Sequence, residues 1–131
     1  MSDYTRVNLR EVENAAEKFG MAPEVEARFP KRELGCTIGA VSLQRLAPNA
    51  RMPFGHRHGE QEELYVVVGG GGRMRLDGDE IELRTWDAVR LAPATMRAFE
   101  AGPEGLEVLA YGAPIAEQPD LEMRPGWWGE G

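Results

Sequence analysis

The sequence predicts an all-β protein built from many short strands. Apolar and polar residues alternate over short stretches, a pattern typical of strands with one buried face. Sixteen glycines and nine prolines are spread along the chain between these stretches, as expected where turns join short elements. A chain of 131 residues can form one hydrophobic core but not two, so we expect one domain, a sandwich, jelly roll or small barrel.

The first predicted element is a short helix. Asn8, followed three residues later by Glu11, resembles a capping box, and apolar residues then recur at helical spacing from Val12 to Phe19. Gly20 is a good C-terminal stop. We expect one helix near residues 9–19, packed on the outside of the sheet and without a chemical role.

Strands are predicted from Cys36 onward, where the period of the apolar residues changes to two. Asp77-Gly78-Asp79 predicts a tight hairpin turn. The glycine run 69–72 is interpreted as a flexible hairpin connection, because a phosphate-binding loop needs a following helix and a strand follows instead. The predicted strands span residues 37–46, 51–58, 63–68, 73–76, 80–83, 88–91, 96–100 and 106–111.

The C-terminal tail contains two adjacent tryptophans, Trp127 and Trp128. Exposed tryptophans carry a large unfavourable apolar surface unless they dock on something. We therefore expect a clasp over the barrel or a dimer contact, in preference to a platform for stacking a ligand.

Charge and composition exclude several function classes. With 15 Lys and Arg against 22 Asp and Glu, the net charge is −7, which disfavours nucleic acid as a partner. No apolar run approaches the roughly 18 residues of a membrane span. Cys36 is the only cysteine, and the first residues lack the apolar core of a signal peptide, so we expect a soluble cytoplasmic protein.

The only two histidines, His56 and His58, are two residues apart. In a strand these positions face the same side, with Cα atoms about 6 to 7 Å apart, so both imidazoles can bind one ion. A third ligand is expected from the carboxylates that follow, Glu60, Glu62 or Glu63, at the start of the next strand.

Two histidines and one carboxylate leave coordination positions open for water, O₂ or a substrate. Such a set is typical of non-haem iron oxygenases and also suits manganese, zinc, nickel or copper, so the expected cofactor is a divalent transition metal of open identity. The alternative is that the two histidines merely line a polar cavity.

The segment from His56 to Gly70 resembles the first motif of the cupin family, G(X)5HXH(X)3,4E(X)6G. His56, His58, Glu63 and Gly70 match four of its five fixed positions, and Ala50 replaces the first glycine. The resemblance implies a cupin-type double-stranded β-helix, or jelly-roll barrel, with the short N-terminal helix added to it. It also implies that His56, His58 and Glu63 are metal ligands. Since the motif permits either gap, Glu62 is the alternative to Glu63.

The second cupin motif, G(X)5PXG(X)2H(X)3N, is degenerate in this chain. Where relatives carry a fourth ligand, a histidine, this chain has Arg97. A guanidinium stays protonated and has no lone pair, so Arg97 cannot bind a metal. The five positions of the motif are occupied by Trp86, Ala92, Ala94, Arg97 and Ala101.

Three roles remain open for Arg97. It could pair with Glu62 or Glu63 and hold a metal-free pocket together. It could face a substrate carboxylate or phosphate that bridges arginine and metal. It could also point outward and leave a three-ligand site intact.

Two further pocket residues are expected. Tyr65 lies two positions after Glu63 and should share its face, which would place its hydroxyl near the metal as a donor. Gln44 is a candidate for the pocket wall.

The sequence divides into an N-terminal extension with the helix (1–35), a barrel (36–114) and a tail (115–131). The resemblance implies an oxygenase or isomerase that acts on a small polar or anionic molecule. The alternative is a metal-free cupin that binds or senses a small ligand without catalysis. The resemblance also implies a homodimer.

Overall fold

The computed structural model describes residues 2–116 and 120–129. Among these residues, short 3-10 turns and one helical turn precede a β-rich body. The 3-10 turns span Leu9–Glu11 and Ala15–Phe19, and the helical turn α1 spans Lys31–Leu34. The strands are β1 (Val25–Arg28), β2 (Ala40–Leu46), β3 (Phe54–Arg57), β4 (Glu62–Leu76), β5 (Asp79–Arg84), β6 (Ala88–Leu91), β7 (Arg97–Ala113) and β8 (Glu122–Pro125).

The strands form one curled antiparallel sheet, which confirms the predicted all-β jelly roll. The two longest strands, β4 and β7, pair along most of their length. Strands β5 and β6 also pair with β4, and strands β2 and β3 pair with β7. The first half of β4 pairs with β6 and the second half with β5. The inward faces of both halves supply one core, which includes Tyr65, Val67, Met74, Phe99 and Val108.

The interpretation of residues 69–72 as a hairpin connection is wrong, because these glycines lie inside β4. The pairing of β4 with β7 shifts register on both sides of Gly70, so the two strands bend together there. A Cβ on Gly70 would lie 2.0 Å from the carbonyl oxygen of Gly105, and one on Gly72 would lie 2.1 Å from that of Glu100. The glycines therefore permit a close approach of two backbones.

The predicted helix over residues 9–19 is also wrong in part. Asn8 caps Leu9–Glu11 as expected, but the chain leaves the helical path before Asn14. The Asn14 side chain accepts hydrogen bonds from the backbone N–H groups of Ala16 and Ala27. Because this side chain ties the segment to β1, two short 3-10 turns form in place of one helix.

The sheet extends beyond the predicted barrel limits of 36 and 114. Strand β1, from the N-terminal segment, pairs with β2, and strand β8, from the tail, pairs with β3. Both flanking segments thus contribute strands to the sheet.

The tail tryptophans dock on the outer face of the barrel. The Trp127 ring lies over Gly55, where a Cβ would come within 2.6 Å of it, and the Arg75 guanidinium stacks 4.3 Å from its centre. Trp128 donates its indole N–H to Glu80 at 3.0 Å and lies beside Arg51. The tail is therefore a clasp, one of the two alternatives that the sequence favoured.

Glu100 joins two arginines beneath this clasp. Its carboxylate accepts hydrogen bonds from Arg51 at 2.7 Å and from Arg73 at 3.2 Å. Hydrogen bonds from Arg73 and Arg51 hold the pKa of Glu100 below its ordinary value of 4.5. A carboxylate whose pKa is lower in the folded state stabilises the fold above its unfolded pKa and loses that contribution as the pH falls.

Glu100→Gln is therefore expected to lower the free energy of unfolding by about 1 kcal/mol at pH 7 and by less at pH 3. Urea unfolding at the two pH values measures this difference. The exposed Glu104 has no hydrogen-bond partner among the described residues, so Glu104→Gln serves as the control with little effect at either pH. An equal deficit for Glu100→Gln at both pH values would contradict the proposed pairing.

No helix among the described residues is long and apolar enough to cross a membrane.

Candidate metal centre

The structure brings together His56, His58 and Glu63, the three residues that the sequence predicts as ligands. His56 lies on β3, opposite Arg97 of β7, and His58 follows the end of β3. Glu63 is the second residue of β4 and pairs with Leu91 and Gly112. The short connection between β3 and β4 therefore returns the carboxylate to the face of the imidazoles.

The three side chains present donor atoms to one point. Nε2 of His58 lies 3.1 Å from Oε1 of Glu63, and Nε2 of His56 lies 3.5 Å from the same oxygen. Each residue offers a ligand atom within 4.8 Å of the others. Ligands bound at about 2.0 to 2.1 Å from a tetrahedral or octahedral metal lie about 2.9 to 3.4 Å apart. The spacings of 3.1 and 3.5 Å are close to this range, so the three residues could hold a transition metal ion.

Glu62, the alternative ligand, lies on the opposite face. Its side chain is 55% exposed and pairs with Arg90 at 3.2 Å. Since successive residues of a strand face opposite sides, only one of the two neighbouring glutamates can reach the histidines. The structure assigns that place to Glu63.

Arg97 points into the barrel, so the alternative in which it faces outward is wrong. Its side chain is fully buried, and Nη1 donates to Oε1 of Glu63 at 2.9 Å. Nη2 donates to the carbonyl oxygen of Ala92 at 3.0 Å, while Nε has no partner among the described residues. Arg97, on β7, therefore links this strand to Glu63 on β4 and to Ala92, the residue that follows β6.

Tyr65 shares the inward face with Glu63, as predicted. Its hydroxyl donates to Oε1 of Glu63 at 2.7 Å, and its ring packs edge-on against Phe99. Burial raises the pKa of Tyr65 well above its ordinary value. The hydroxyl is therefore a neutral donor fixed beside the ligand oxygen.

Gln44 also lies on the inward face but is not part of the cluster. It pairs with Val108, two residues along β7 from the partner of Tyr65, and its amide donates to Ser42 at 3.4 Å. Among the described residues it makes no hydrogen bond to the histidines, Glu63 or Arg97. Gln44 therefore lies apart from His56, His58 and Glu63, and its place in a pocket wall stays a prediction.

The charges of the cluster are strongly coupled. Burial alone would raise the pKa of Glu63, but hydrogen bonds from His56, His58 and Tyr65 outweigh it and hold that pKa well below its ordinary value. Burial lowers the pKa of His56, despite its contact with Glu63. The pKa of His58 is raised, because its hydrogen bonds to Glu63 and Asp120 outweigh its burial.

The sequence reasoning missed Asp120. Its Oδ1 lies 3.1 Å from Nδ1 of His58, on the side of the ring away from Glu63. Asp120 lies 62 residues from His58 and outside both motifs, so nothing in the local sequence pointed to it. The pairing of β8 with β3 brings this part of the tail to the site.

The cluster is slightly exposed at its three predicted ligands and closed at Arg97. The side chains of His56 and His58 are 16% and 11% exposed, whereas that of Arg97 is 0% exposed. A small molecule would therefore meet His56, His58 or Glu63, which is also 11% exposed, before Arg97. Two imidazoles and one carboxylate can hold a metal and leave coordination positions open.

The sequence matches no family model. It is 30% identical over 69 residues to an uncharacterised protein of Methanocaldococcus jannaschii, a match that spans 52% of this chain and 55% of that protein. The chain therefore aligns with about half the length of this curated relative.

Solved structures of other proteins resemble this chain over most of its length. A cupin protein from Bacteroides fragilis superimposes with a TM-score of 0.71 and 24% identity over 90% of each chain. The polyketide cyclase RemF from Streptomyces resistomycificus superimposes with a TM-score of 0.72 and 20% identity, over 92% of this chain and 84% of that one. These likenesses establish a shared fold, and one of the two structures is an enzyme.

Proposed function

Given that the chain has the fold of the cupin superfamily, we propose that it is a metal-dependent enzyme acting on a small polar or anionic molecule. His56, His58 and Glu63 would hold a divalent transition metal ion, and the reaction class would be that of an oxygenase or isomerase. The cytoplasmic location and the homodimer expected from the sequence stay predictions.

The convergence of three donor atoms carries this proposal. Nε2 of His58 and Nε2 of His56 lie 3.1 and 3.5 Å from Oε1 of Glu63, which is close to the spacing of ligands around one ion. A bound divalent metal would supply Lewis-acid activation of a substrate oxygen. Arg97 and Tyr65 both donate to Oε1 of Glu63 and so orient this ligand. The Tyr65 hydroxyl also holds a proton next to the ligand oxygen.

The charges at the site favour an anionic substrate. Arg97 contributes one positive charge and Glu63 one negative charge, both in the interior. A divalent metal added to this pair gives a net charge of +2. Among the described residues of the cluster, only the Asp120 carboxylate, which pairs with His58, reduces that charge. A carboxylate or similar anion bound beside the histidines would reduce that charge.

The second candidate function is a metal-free binding or sensing cupin. The contact between Arg97 and Glu63 favours it, because the guanidinium already neutralises the buried carboxylate that a metal would need. In this case the inward face of the sheet would bind a small ligand without catalysing a reaction.

Metal analysis separates the two candidates. Wild-type protein loaded in turn with Fe²⁺, Mn²⁺, Zn²⁺, Ni²⁺ and Cu²⁺ and then dialysed is expected to retain about one equivalent of at least one metal. His56→Ala should retain less than about a tenth of an equivalent, because two ligands hold a metal poorly. Glu62→Gln is the matched control, since the Glu62 side chain is 55% exposed and faces away, and it should retain the wild-type amount.

Less than about a tenth of an equivalent of every metal on the wild-type protein would overturn the proposed enzyme. That result would favour the metal-free binding protein.

A further inference from the structure

We propose that Asp120 is a positioning residue of the metal centre, which keeps the ring proton of His58 on Nδ1 and the Nε2 lone pair directed at the metal position. This inference rests on the proposed function for its meaning. It adds a residue of the tail to a site that the motif places in β3, in the start of β4 and in the connection between them.

The Asp120 carboxylate is itself held in place. Oδ2 accepts hydrogen bonds from the backbone N–H groups of Gly59 and Glu60 at 3.1 and 2.9 Å, with a longer contact from Gln61 at 3.4 Å. These donors belong to the connection between His58 and β4. Oδ1 is left free to face Nδ1 of His58 at 3.1 Å. The carboxylate thus fixes both the connection and the ring that precedes it.

A neutral His58 carries one ring proton, either on Nδ1 or on Nε2. The hydrogen bonds at Glu63 determine which of the two nitrogens carries it. Oε1 of Glu63 already accepts from Tyr65 at 2.7 Å and from Arg97 at 2.9 Å, so a proton on Nε2 of His58 would be a third donor to the same oxygen. Oδ1 of Asp120 has no other donor among the described residues. The proton of a neutral His58 is therefore best placed on Nδ1, which leaves Nε2 as the metal donor.

The tail brings Asp120 to this position through the sheet. Strand β8 begins two residues after Asp120 and pairs with β3, with Met123 opposite His56. The strand that carries His56 is therefore hydrogen-bonded to the segment that orients His58. The tail completes the candidate metal centre from a distant part of the sequence.

Asp120→Asn tests this role. The asparagine oxygen can still accept from the N–H groups of Gly59 and Glu60, but its amide would then donate to Nδ1 of His58 and move the ring proton to Nε2. We expect Zn²⁺ binding weakened by about 10- to 100-fold in a competition titration. Glu122→Gln is the matched control, because Glu122 is a tail carboxylate that pairs with Arg57 instead, and its affinity should be that of the wild type.

A second readout does not depend on metal. The chain contains two histidines, so the ¹⁵N–¹H correlations of its imidazoles at pH 9 comprise two ring systems, assigned with His56→Gln. Wild-type His58 should carry its proton on Nδ1, and Asp120→Asn should move it to Nε2. An unchanged tautomer, or Zn²⁺ affinity within twofold of the wild type, would overturn the role of Asp120. A wild type that binds no Zn²⁺ while the tautomer still moves would refute the metal function and leave the positioning role standing.

Discussion

Replacing Arg97 by methionine is expected to lower the free energy of unfolding of the metal-free protein by about 3 to 5 kcal/mol. The Arg97 side chain is fully buried and donates to Glu63 at 2.9 Å and to the carbonyl oxygen of Ala92 at 3.0 Å. Methionine fills a similar volume but leaves a buried carboxylate without its cation and a carbonyl without its donor. Urea unfolding in the presence of a chelator measures the loss.

The double variant Arg97→Met with Glu63→Gln separates the ion pair from packing. Since both charges are removed together, the double variant should be more stable than Arg97→Met alone. Zn²⁺ should restore part of the stability of the single variant, because a metal at His56, His58 and Glu63 would replace the missing positive charge. A loss below about 1 kcal/mol for Arg97→Met would contradict the buried pairing.

Gly70→Ala is expected to destabilise the protein by about 3 kcal/mol or more. Gly70 has a φ of +65°, and a Cβ there would lie 2.0 Å from the carbonyl oxygen of Gly105. Because the colliding atom is backbone, β4 and β7 must move apart at their bend to admit the methyl group. Thermal unfolding of the variant is the direct measurement.

Gly78→Ala is the matched control for this substitution. Gly78 lies in the turn between β4 and β5, where a Cβ would meet nothing within 4 Å. We expect a change within about 0.5 kcal/mol at this position. Equal stability of Gly70→Ala and Gly78→Ala would mean that residues 69–72 form the loop that the sequence alone predicted.

The parts of the site that the sequence predicted are those encoded locally. His56, His58 and Glu63 lie within eight positions of one another, and strand geometry alone places the two imidazoles on one side. Tyr65 follows from the same period of two. Local spacing also excluded a helix after the glycine run.

The features that the sequence could not predict depend on partners far along the chain. A glycine run suits a hairpin and a strand bend equally, and the approach of Gly105 to Gly70 decides between them. The direction of Arg97 depends on its pairing with His56 across the sheet. Asp120 reaches His58 only because β8 joins β3. Local sequence contains none of this information.

The N-terminal helix failed for a related reason. The capping signal at Asn8 is real, and its side chain accepts from the backbone of Arg10. Six residues later, the Asn14 side chain binds the backbone of Ala27 in β1 and interrupts the helix. A tertiary hydrogen bond thus outweighed a local helical preference.

Anomalous diffraction at the zinc edge, from crystals grown with Zn²⁺, tests the central claim most directly. We expect one strong peak within about 2.0 to 2.2 Å of Nε2 of His56, Nε2 of His58 and a carboxylate oxygen of Glu63, with Arg97 outside the set of ligands. Crystals in which Arg97 still binds Glu63 and no peak lies near the histidines would contradict the metal centre.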